Sequence, residues 1–144
     1  MVDYILEAEC GHINVWPMGF WLAARDFFKC YLDFQKPGPF SVVPFFLCCR
    51  AIELALKAMH LETKSQMELK RLYSHDLVAS YSGLPAQYKL LSQEEFDLLS
   101  KVNAIYPKKD FEYFNVGDAA TGYERFPELD ALAKLAGKLT DYQA

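Results

Sequence analysis

The sequence predicts an all-α protein: an up-and-down antiparallel bundle of four to five helices, forming a single domain over residues 1–144. Apolar residues recur at three- and four-residue steps in four long segments, and no segment of any length alternates as a half-buried strand does. Serine, proline and glycine stand where such helices would begin and end. At 52% hydrophobic and 24% charged residues, the composition is typical of a globular chain that needs no disulfide or metal to fold.

The first half of the chain is predicted to hold two long helices. Residues 1–15 are expected to be irregular, with a turn at Cys10-Gly11-His12. A first helix is predicted from Pro17 to about Lys36, where Pro37-Gly38-Pro39 stops it. The second is predicted from a Ser41 cap to about Glu62. It is apolar nearly all round, so we expect it at the centre of the bundle.

The second half is predicted to hold a short helix and two longer ones. Residues 63–73 are polar and favour no more than one or two weak helical turns. Ser74 is expected to cap a short helix over residues 75–82, and the Ser92–Glu95 capping box to start a helix that runs to about Tyr106. Residues 108–126 carry no helix signal. The last helix opens at Phe126-Pro127-Glu128 and is expected to reach Tyr142 or Gln143.

Charge and cysteine content exclude several classes of protein. With 15 basic and 19 acidic residues the net charge is −4, which argues against affinity for nucleic acid over the whole surface but allows a local basic groove. No membrane span and no signal peptide are predicted, so we expect a cytoplasmic protein. The four cysteines form no C-x-x-C pair and are expected to be free thiols, with Cys48 and Cys49 buried. No histidine stands at metal-ligand spacing, and we expect neither a metal nor a cofactor.

A thin polar stripe follows the otherwise apolar second helix. Arg50, Glu53, Lys57 and His60 lie at steps of three, four and three residues, so they share one narrow arc. One interpretation is an internal ion pair that closes a polar gap in the bundle, with His75 and Asp76 as partners. The other is a groove in which Arg50 and Lys57 bind an anionic ligand.

Two further groups of residues allow a structural and a functional interpretation. His75 either hydrogen bonds back to Glu53 or a carbonyl, or acts as a general base that activates a ribose 2′-hydroxyl. Lys101, Lys108 and Lys109 lie near three aromatic residues, Phe111, Tyr113 and Phe114. Such a patch can hold single-stranded nucleic acid, or it consists of solvated lysines over core aromatics.

Several motifs together resemble the HEPN (higher eukaryotes and prokaryotes nucleotide-binding) domain family. The sharpest is Ile52-Glu53-Leu54-Ala55-Leu56-Lys57-Ala58 followed by His75-Asp76-Leu77. Supporting pieces are Pro44-Phe45-Phe46-Leu47, Tyr106-Pro107 and Phe111-Glu112-Tyr113, so the resemblance covers residues 17–142. It implies a helical bundle, usually dimeric, found in toxin–antitoxin and phage-defence systems, often beside a nucleotidyltransferase-like partner protein.

Many proteins of the HEPN family are metal-independent ribonucleases that use an arginine followed four to six residues later by a histidine. This chain lacks that motif, because its histidines are His12, His60 and His75 and the nearest spacing, Arg71 to His75, leaves only three residues between. We therefore expect a homodimeric HEPN-like binding or interaction module that takes RNA or a nucleotide. Its candidate ligand-binding residues are Arg50, Glu53, Lys57, His75 and Asp76. The alternative is a ribonuclease with a divergent site that uses His75 with Arg71 or Arg50.

Overall fold

A computed structural model describes residues 5–7, 12–14 and 17–141, and it confirms the all-α class. Seven α-helices are present in the described residues, together with two 3-10 turns and one short pair of strands. The helices are α1 (Pro17–Asp33), α2 (Val43–His60), α3 (Gln66–Leu72), α4 (Leu77–Ser82), α5 (Gln93–Asn103), α6 (Val116–Ala120) and α7 (Leu129–Asp141). The 3-10 turns are Ala86–Tyr88 and Tyr106–Lys108.

Helix α2 is the central element, as its apolar composition predicts. Thirteen of its 18 residues are buried, and it packs against α1, α4 and α7. Its N-cap is Val42, which makes no side-chain cap, rather than the predicted Ser41. Ser41 Oγ accepts a hydrogen bond from the amide of Val43, the first helical residue, and Pro44 occupies the first turn, where its missing N–H costs nothing. Because α1, α4 and α7 of the same chain cover α2, its apolar surface is already buried in one copy of the protein.

The cysteines behave as predicted inside this core. Cys48 and Cys49 are buried free thiols, and burial raises the pKa of both well above the usual value. They therefore act as small apolar side chains. Cys30 is a free thiol on the exposed side of α1.

Two further helix starts differ from the prediction. The cap of α4 is Asp76 rather than Ser74: its carboxylate accepts from the Ala79 amide at 2.9 Å, so the helix begins at Leu77. Ser74 instead has a left-handed backbone with φ of 48°, which a cap residue does not adopt. Residues 66–72, predicted to form only weak turns, form the regular helix α3 because Ser65 caps it by accepting from the Glu68 amide. The capping box Ser92–Glu95 at the start of α5 is present as predicted.

Residues 108–126 contain the short helix α6, where no helix was predicted. Asn115 caps it, and the Arg125 guanidinium holds the surrounding loop by donating to the carboxylates of Asp110 and Asp118. The hydrogen bonds from Arg125 lower the pKa of Asp118, although burial opposes this. A single cap and the two ion pairs of Arg125 therefore order a segment too short for a periodic apolar pattern to reveal.

Aromatic side chains from distant parts of the chain pack beside this loop. Phe45, Phe111 and Phe126 contact one another with ring centroids 4.9–5.6 Å apart, and Tyr123 stacks on Phe40 at 4.3 Å. This cluster joins the start of α2 to the segment before α7. It accounts for part of the aromatic content within the core of one chain.

The N-terminal region departs from the irregular structure predicted for residues 1–15. Ile5–Glu7 and His12–Asn14 form two antiparallel strands, β1 and β2, with Leu6 opposite Ile13. The predicted turn at Cys10-Gly11 and the predicted helix end at Tyr142 or Gln143 lie outside the described residues. Among the residues that the structure describes, no helix has the length and apolar character needed to cross a membrane.

Candidate functional site

A buried carboxylate, that of Glu53, organises the candidate site. It lies on α2 with only 2% of its surface exposed, and it accepts four hydrogen bonds. Arg50 Nη1 and Lys57 Nζ donate to Oε2 at 3.1 and 3.0 Å. His75 Nδ1 and the Tyr106 hydroxyl donate to Oε1 at 2.7 and 2.8 Å. We call these five residues the Glu53 cluster.

The four donors keep Glu53 ionised in spite of its burial. Burial by itself raises the pKa of Glu53, but the charge of Lys57 and the hydrogen bonds from His75, Lys57 and Tyr106 outweigh it, so the pKa lies below its ordinary value. Burial and the adjacent Glu53 charge raise the pKa of Tyr106, which remains a donor. The cluster thus holds one negative charge against the two positive charges of Arg50 and Lys57.

The two cations of the cluster face different surroundings. The Arg50 guanidinium lies 5.9 Å from the centre of the Phe27 ring on α1, and a third of its side chain is exposed. The Lys57 side chain is largely buried, two helical turns further along α2 than Arg50. The predicted stripe therefore does bring Arg50, Glu53 and Lys57 into direct contact.

His75 joins the cluster from the link between α3 and α4. Its Nδ1 donates to Glu53, while 43% of its side chain is exposed. An ionised carboxylate only accepts, so Nδ1 carries the proton and Nε2 of a neutral ring is left as an acceptor. Ser74, just before it, holds the left-handed backbone noted above, a strained conformation of the kind that functional sites retain.

Asp76 and His60, although predicted close to these residues, lie apart from the cluster. Asp76 accepts from the Asn103 side chain at 2.9 Å in addition to capping α4, and it makes no hydrogen bond to the cluster. His60 is fully buried; its Nε2 lies 2.7 Å from the Ser80 carbonyl and its ring stacks on Tyr73. Burial lowers the pKa of His60. Both residues therefore have structural roles here.

A pocket of about 330 Å³ opens beside the Glu53 cluster, between α1, the last turn of α2, and α3. We call it the α3 pocket, and it is lined by Phe20, Lys57, Gln66, Met67, Leu69, Lys70, Ser74 and His75. No acidic residue is among them. Lys70 is exposed and, within the described residues, makes no ion pair, so this pocket carries uncompensated positive charge.

The sequence did not reveal three members of this site. Tyr106 stood out only as part of a core stripe and of the family resemblance, 53 positions away from the carboxylate that it contacts. Gln66 and Lys70 lie in the polar segment that was predicted to be weakly helical. Their spacing of four residues is the signal that could have placed them on one face of a helix.

The other predicted basic patch divides into buried and exposed parts. Phe111 belongs to the aromatic core, whereas Tyr113 and Phe114 are exposed beside the exposed Lys108 and Lys109. Arg71, a candidate for the divergent ribonuclease site, is exposed at the end of α3 and makes no hydrogen bond to the Glu53 cluster. In the described part of the chain, no group of three or more His, Cys, Asp or Glu side chains is placed to hold a metal ion.

Comparison with protein-family models, with curated proteins and with solved structures gives no match to this chain.

Replacement of Glu53 by Gln should destabilise the protein in a pH-dependent way. At pH 7 we expect Glu53→Gln to lower the free energy of unfolding by roughly 1–3 kcal/mol, because a neutral amide replaces an acceptor of charged hydrogen bonds. The folded-state pKa of Glu53 lies below its ordinary value of 4.5, so the contribution of the carboxylate is complete above pH 4.5 and is lost as the pH falls through the folded-state pKa. Urea unfolding of both proteins between pH 7 and pH 3 measures the difference.

The matched control is Glu124→Gln, which removes an exposed carboxylate without a partner in the described residues. It should leave the free energy of unfolding nearly unchanged at every pH. A deficit for Glu53→Gln that stays constant down to pH 3 would contradict an ionised, stabilising carboxylate.

Proposed function

We propose that this chain is a HEPN-like helical binding module, acting in a bacterial nucleic-acid or defence setting, that binds nucleotides or short RNA in the α3 pocket. The observation that carries the proposal is the lining of the pocket by Lys57, Lys70 and His75 with no carboxylate among them. A phosphate accepts hydrogen bonds from ammonium groups such as those of Lys57 and Lys70. Because the whole chain has a net charge of −4, we expect an anionic ligand to bind at this local group of lysines rather than anywhere on the surface.

The apolar side of the same pocket also supports a nucleotide. Phe20, Met67 and Leu69 line it together with the cations. Ligand pockets of a few hundred Å³ combine an apolar wall with a few polar groups that fix orientation. A ligand with a phosphate at one end and a flat base at the other satisfies both kinds of lining.

The Glu53 cluster serves both the fold and this binding role. Glu53 holds Lys57 and His75 in place through hydrogen bonds, so neither side chain must be ordered when a ligand arrives. The Glu53 carboxylate is shared between Lys57 and Arg50, and Lys70 makes no ion pair with any described residue. The ion-pair interpretation and the groove interpretation of the stripe are therefore compatible.

Loss of the Lys70 charge should weaken binding without affecting the fold. We expect Lys70→Ala to weaken the binding of AMP and of a short RNA by about tenfold, because one charge-assisted hydrogen bond to phosphate is lost. Isothermal titration calorimetry at low salt measures the affinities, and rising salt should weaken the wild type more than the variant. Lys57→Ala should also weaken binding, but it removes a partner of Glu53 and must be compared at equal stability.

The matched control is Lys134→Ala, which removes an exposed lysine of α7 that does not line the α3 pocket. It changes the net charge by the same amount and should leave binding unchanged. Equal affinities for wild type, Lys70→Ala and Lys57→Ala would remove the α3 pocket as the binding site.

One observation favours the second candidate function, a metal-independent ribonuclease with a divergent site. The hydrogen bond from His75 Nδ1 to Glu53 leaves Nε2 as an acceptor on a half-exposed ring. A histidine held in this way by a carboxylate can serve as a general base toward a ribose 2′-hydroxyl. Arg50, on the same carboxylate, could stabilise charge that develops on the phosphate.

Cleavage of labelled RNA in the presence of a chelator tests this second function. If the chain is a ribonuclease, His75→Ala should lower the rate by roughly a hundredfold or more, the usual share of a general base, while Lys134→Ala retains it. Absence of cleavage by the wild-type protein at high enzyme concentration would rule it out and leave the binding module.

We further propose that the module is a homodimer. The burial of α2 within one chain removes one reason for expecting a dimer, but Met18 and Leu22 on α1 and Met67 on α3 are large apolar side chains left exposed. Solution scattering at micromolar concentration should give the mass of two chains, and Leu22→Glu should give one, whereas Leu90→Glu, at another exposed leucine, should not. A monomeric wild type would contradict the proposal.

A nucleotidyltransferase-like partner protein, implied by the resemblance, is testable by co-purification.

A further inference from the structure

One side chain of the α3 pocket, that of Gln66, is left with an unpaired donor. Its Nε2 atom is buried, yet none of the described residues offers it a hydrogen-bond acceptor. A buried amide N–H without an acceptor is unfavourable, and native proteins contain few of them. Its own helix does not require it, because Ser65 caps α3 through Glu68. The Gln66 amide is therefore available to donate a hydrogen bond to an acceptor on a ligand.

Gln66 and Lys70 share one face of α3. They are four residues apart, so their side chains are neighbours one helical turn from each other, and both line the α3 pocket. Lys57 and His75 line the same pocket. The face of α3 that meets the pocket thus offers a positive charge and, one turn away, an amide.

We propose that Gln66 is the residue that selects the ligand of the α3 pocket, by hydrogen bonding to the edge of a nucleobase whose phosphate is held by Lys70 and Lys57. This inference rests on the proposed function, and it adds that binding discriminates between bases. The terminal torsion of a Gln side chain is broad, so a small rotation turns the amide from the wall of the pocket toward the ligand. A glutamine amide offers a donor and an acceptor together, which is the pattern that reads a base edge.

The apolar lining places the base where Gln66 can read it. Phe20 comes from α1 and Leu69 from α3, and both line the pocket together with Gln66. A base that packs on these side chains presents its edge, rather than its face, to the polar residues. A ligand with phosphate but no base would fill only the cationic end and would leave the amide unpaired.

The experiment compares AMP, GMP, CMP and UMP with ribose 5-phosphate by isothermal titration calorimetry. The wild-type protein should bind at least one nucleotide about tenfold more tightly than ribose 5-phosphate, since a hydrogen bond to a previously unpaired group is gained. Gln66→Leu should abolish the preference among the bases while leaving the affinity for ribose 5-phosphate unchanged. Gln66→Glu has the same shape but an ionised carboxylate that only accepts. It should weaken the binding of every nucleotide whose base presents a hydrogen-bond acceptor to residue 66.

The matched control is Gln87→Leu, at an exposed glutamine in the 3-10 turn Ala86–Tyr88, which should keep the base preference. Thermal unfolding supplies a readout without ligand: Gln66→Leu should be as stable as the wild type or more stable, because a buried unpaired donor is removed. A clear loss of stability would show that the amide already has a structural partner and would overturn the proposal.

The outcomes separate this inference from the proposed function. If ribose 5-phosphate binds in a manner that depends on Lys70, but all four nucleotides bind no more tightly, the pocket is a phosphate site and the role of Gln66 is wrong. If Gln66→Leu retains the wild-type preference, the role of Gln66 is equally wrong. If neither ribose 5-phosphate nor any nucleotide binds, the proposed function fails, and the selection by Gln66 fails with it.

Discussion

The burial of one carboxylate constrains the rest of this structure. Glu53 is ionised at the centre of the most apolar helix, where an unpaired charge would be strongly unfavourable. Its four donors come from α2 itself, from the link between α3 and α4, and from the 3-10 turn after α5. The positions of His75 and Tyr106, and with them the course of two connecting segments, follow from the need to surround this group. Removing any one donor leaves the others to compensate for a charge that water cannot reach.

The same constraint gives the surface beside it a defined charge. Two cations of α2, Arg50 and Lys57, share the carboxylate of Glu53, and the charge of Glu112 acts on Arg50 as well. Lys57, whose ion-pair partner in the described residues is Glu53, also lines the α3 pocket at the edge of the core. Helix α3 adds Lys70 to this edge without adding a carboxylate to the pocket. The arrangement that satisfies a buried anion thus places lysine side chains at the α3 pocket, and the proposed binding of a phosphate rests on them.

The sequence predicted those parts of the site that follow from the period of one long helix. Arg50, Glu53 and Lys57 were placed together because steps of three and four residues lie on one side of α2, and His75 was proposed as their partner. Asp76 was misplaced because Ser74 seemed the natural cap, and only the left-handed backbone of Ser74 shows why the cap moves two residues. Tyr106 and the α3 pocket depend on contacts between distant segments, which a helical period cannot indicate. Helix α6 was missed because one Asn cap and the Arg125 ion pairs, rather than an apolar face, hold it.

Comparing the two lysines of the pocket distinguishes side chains that the fold needs from those that serve only the proposed binding role. Lys57 is tied to Glu53, so any change there alters the stability of the core and the charge of the pocket together. Lys70 is exposed and has no ion-pair partner in the described residues, so its charge has no structural purpose that the protein reveals. If the polar stripe existed only to satisfy Glu53, a lysine and an unpaired glutamine on the facing helix would have no reason to line the same pocket. The ion pairs of Glu53 do not explain why Lys70 and Gln66 lie one turn apart on α3 and line this pocket.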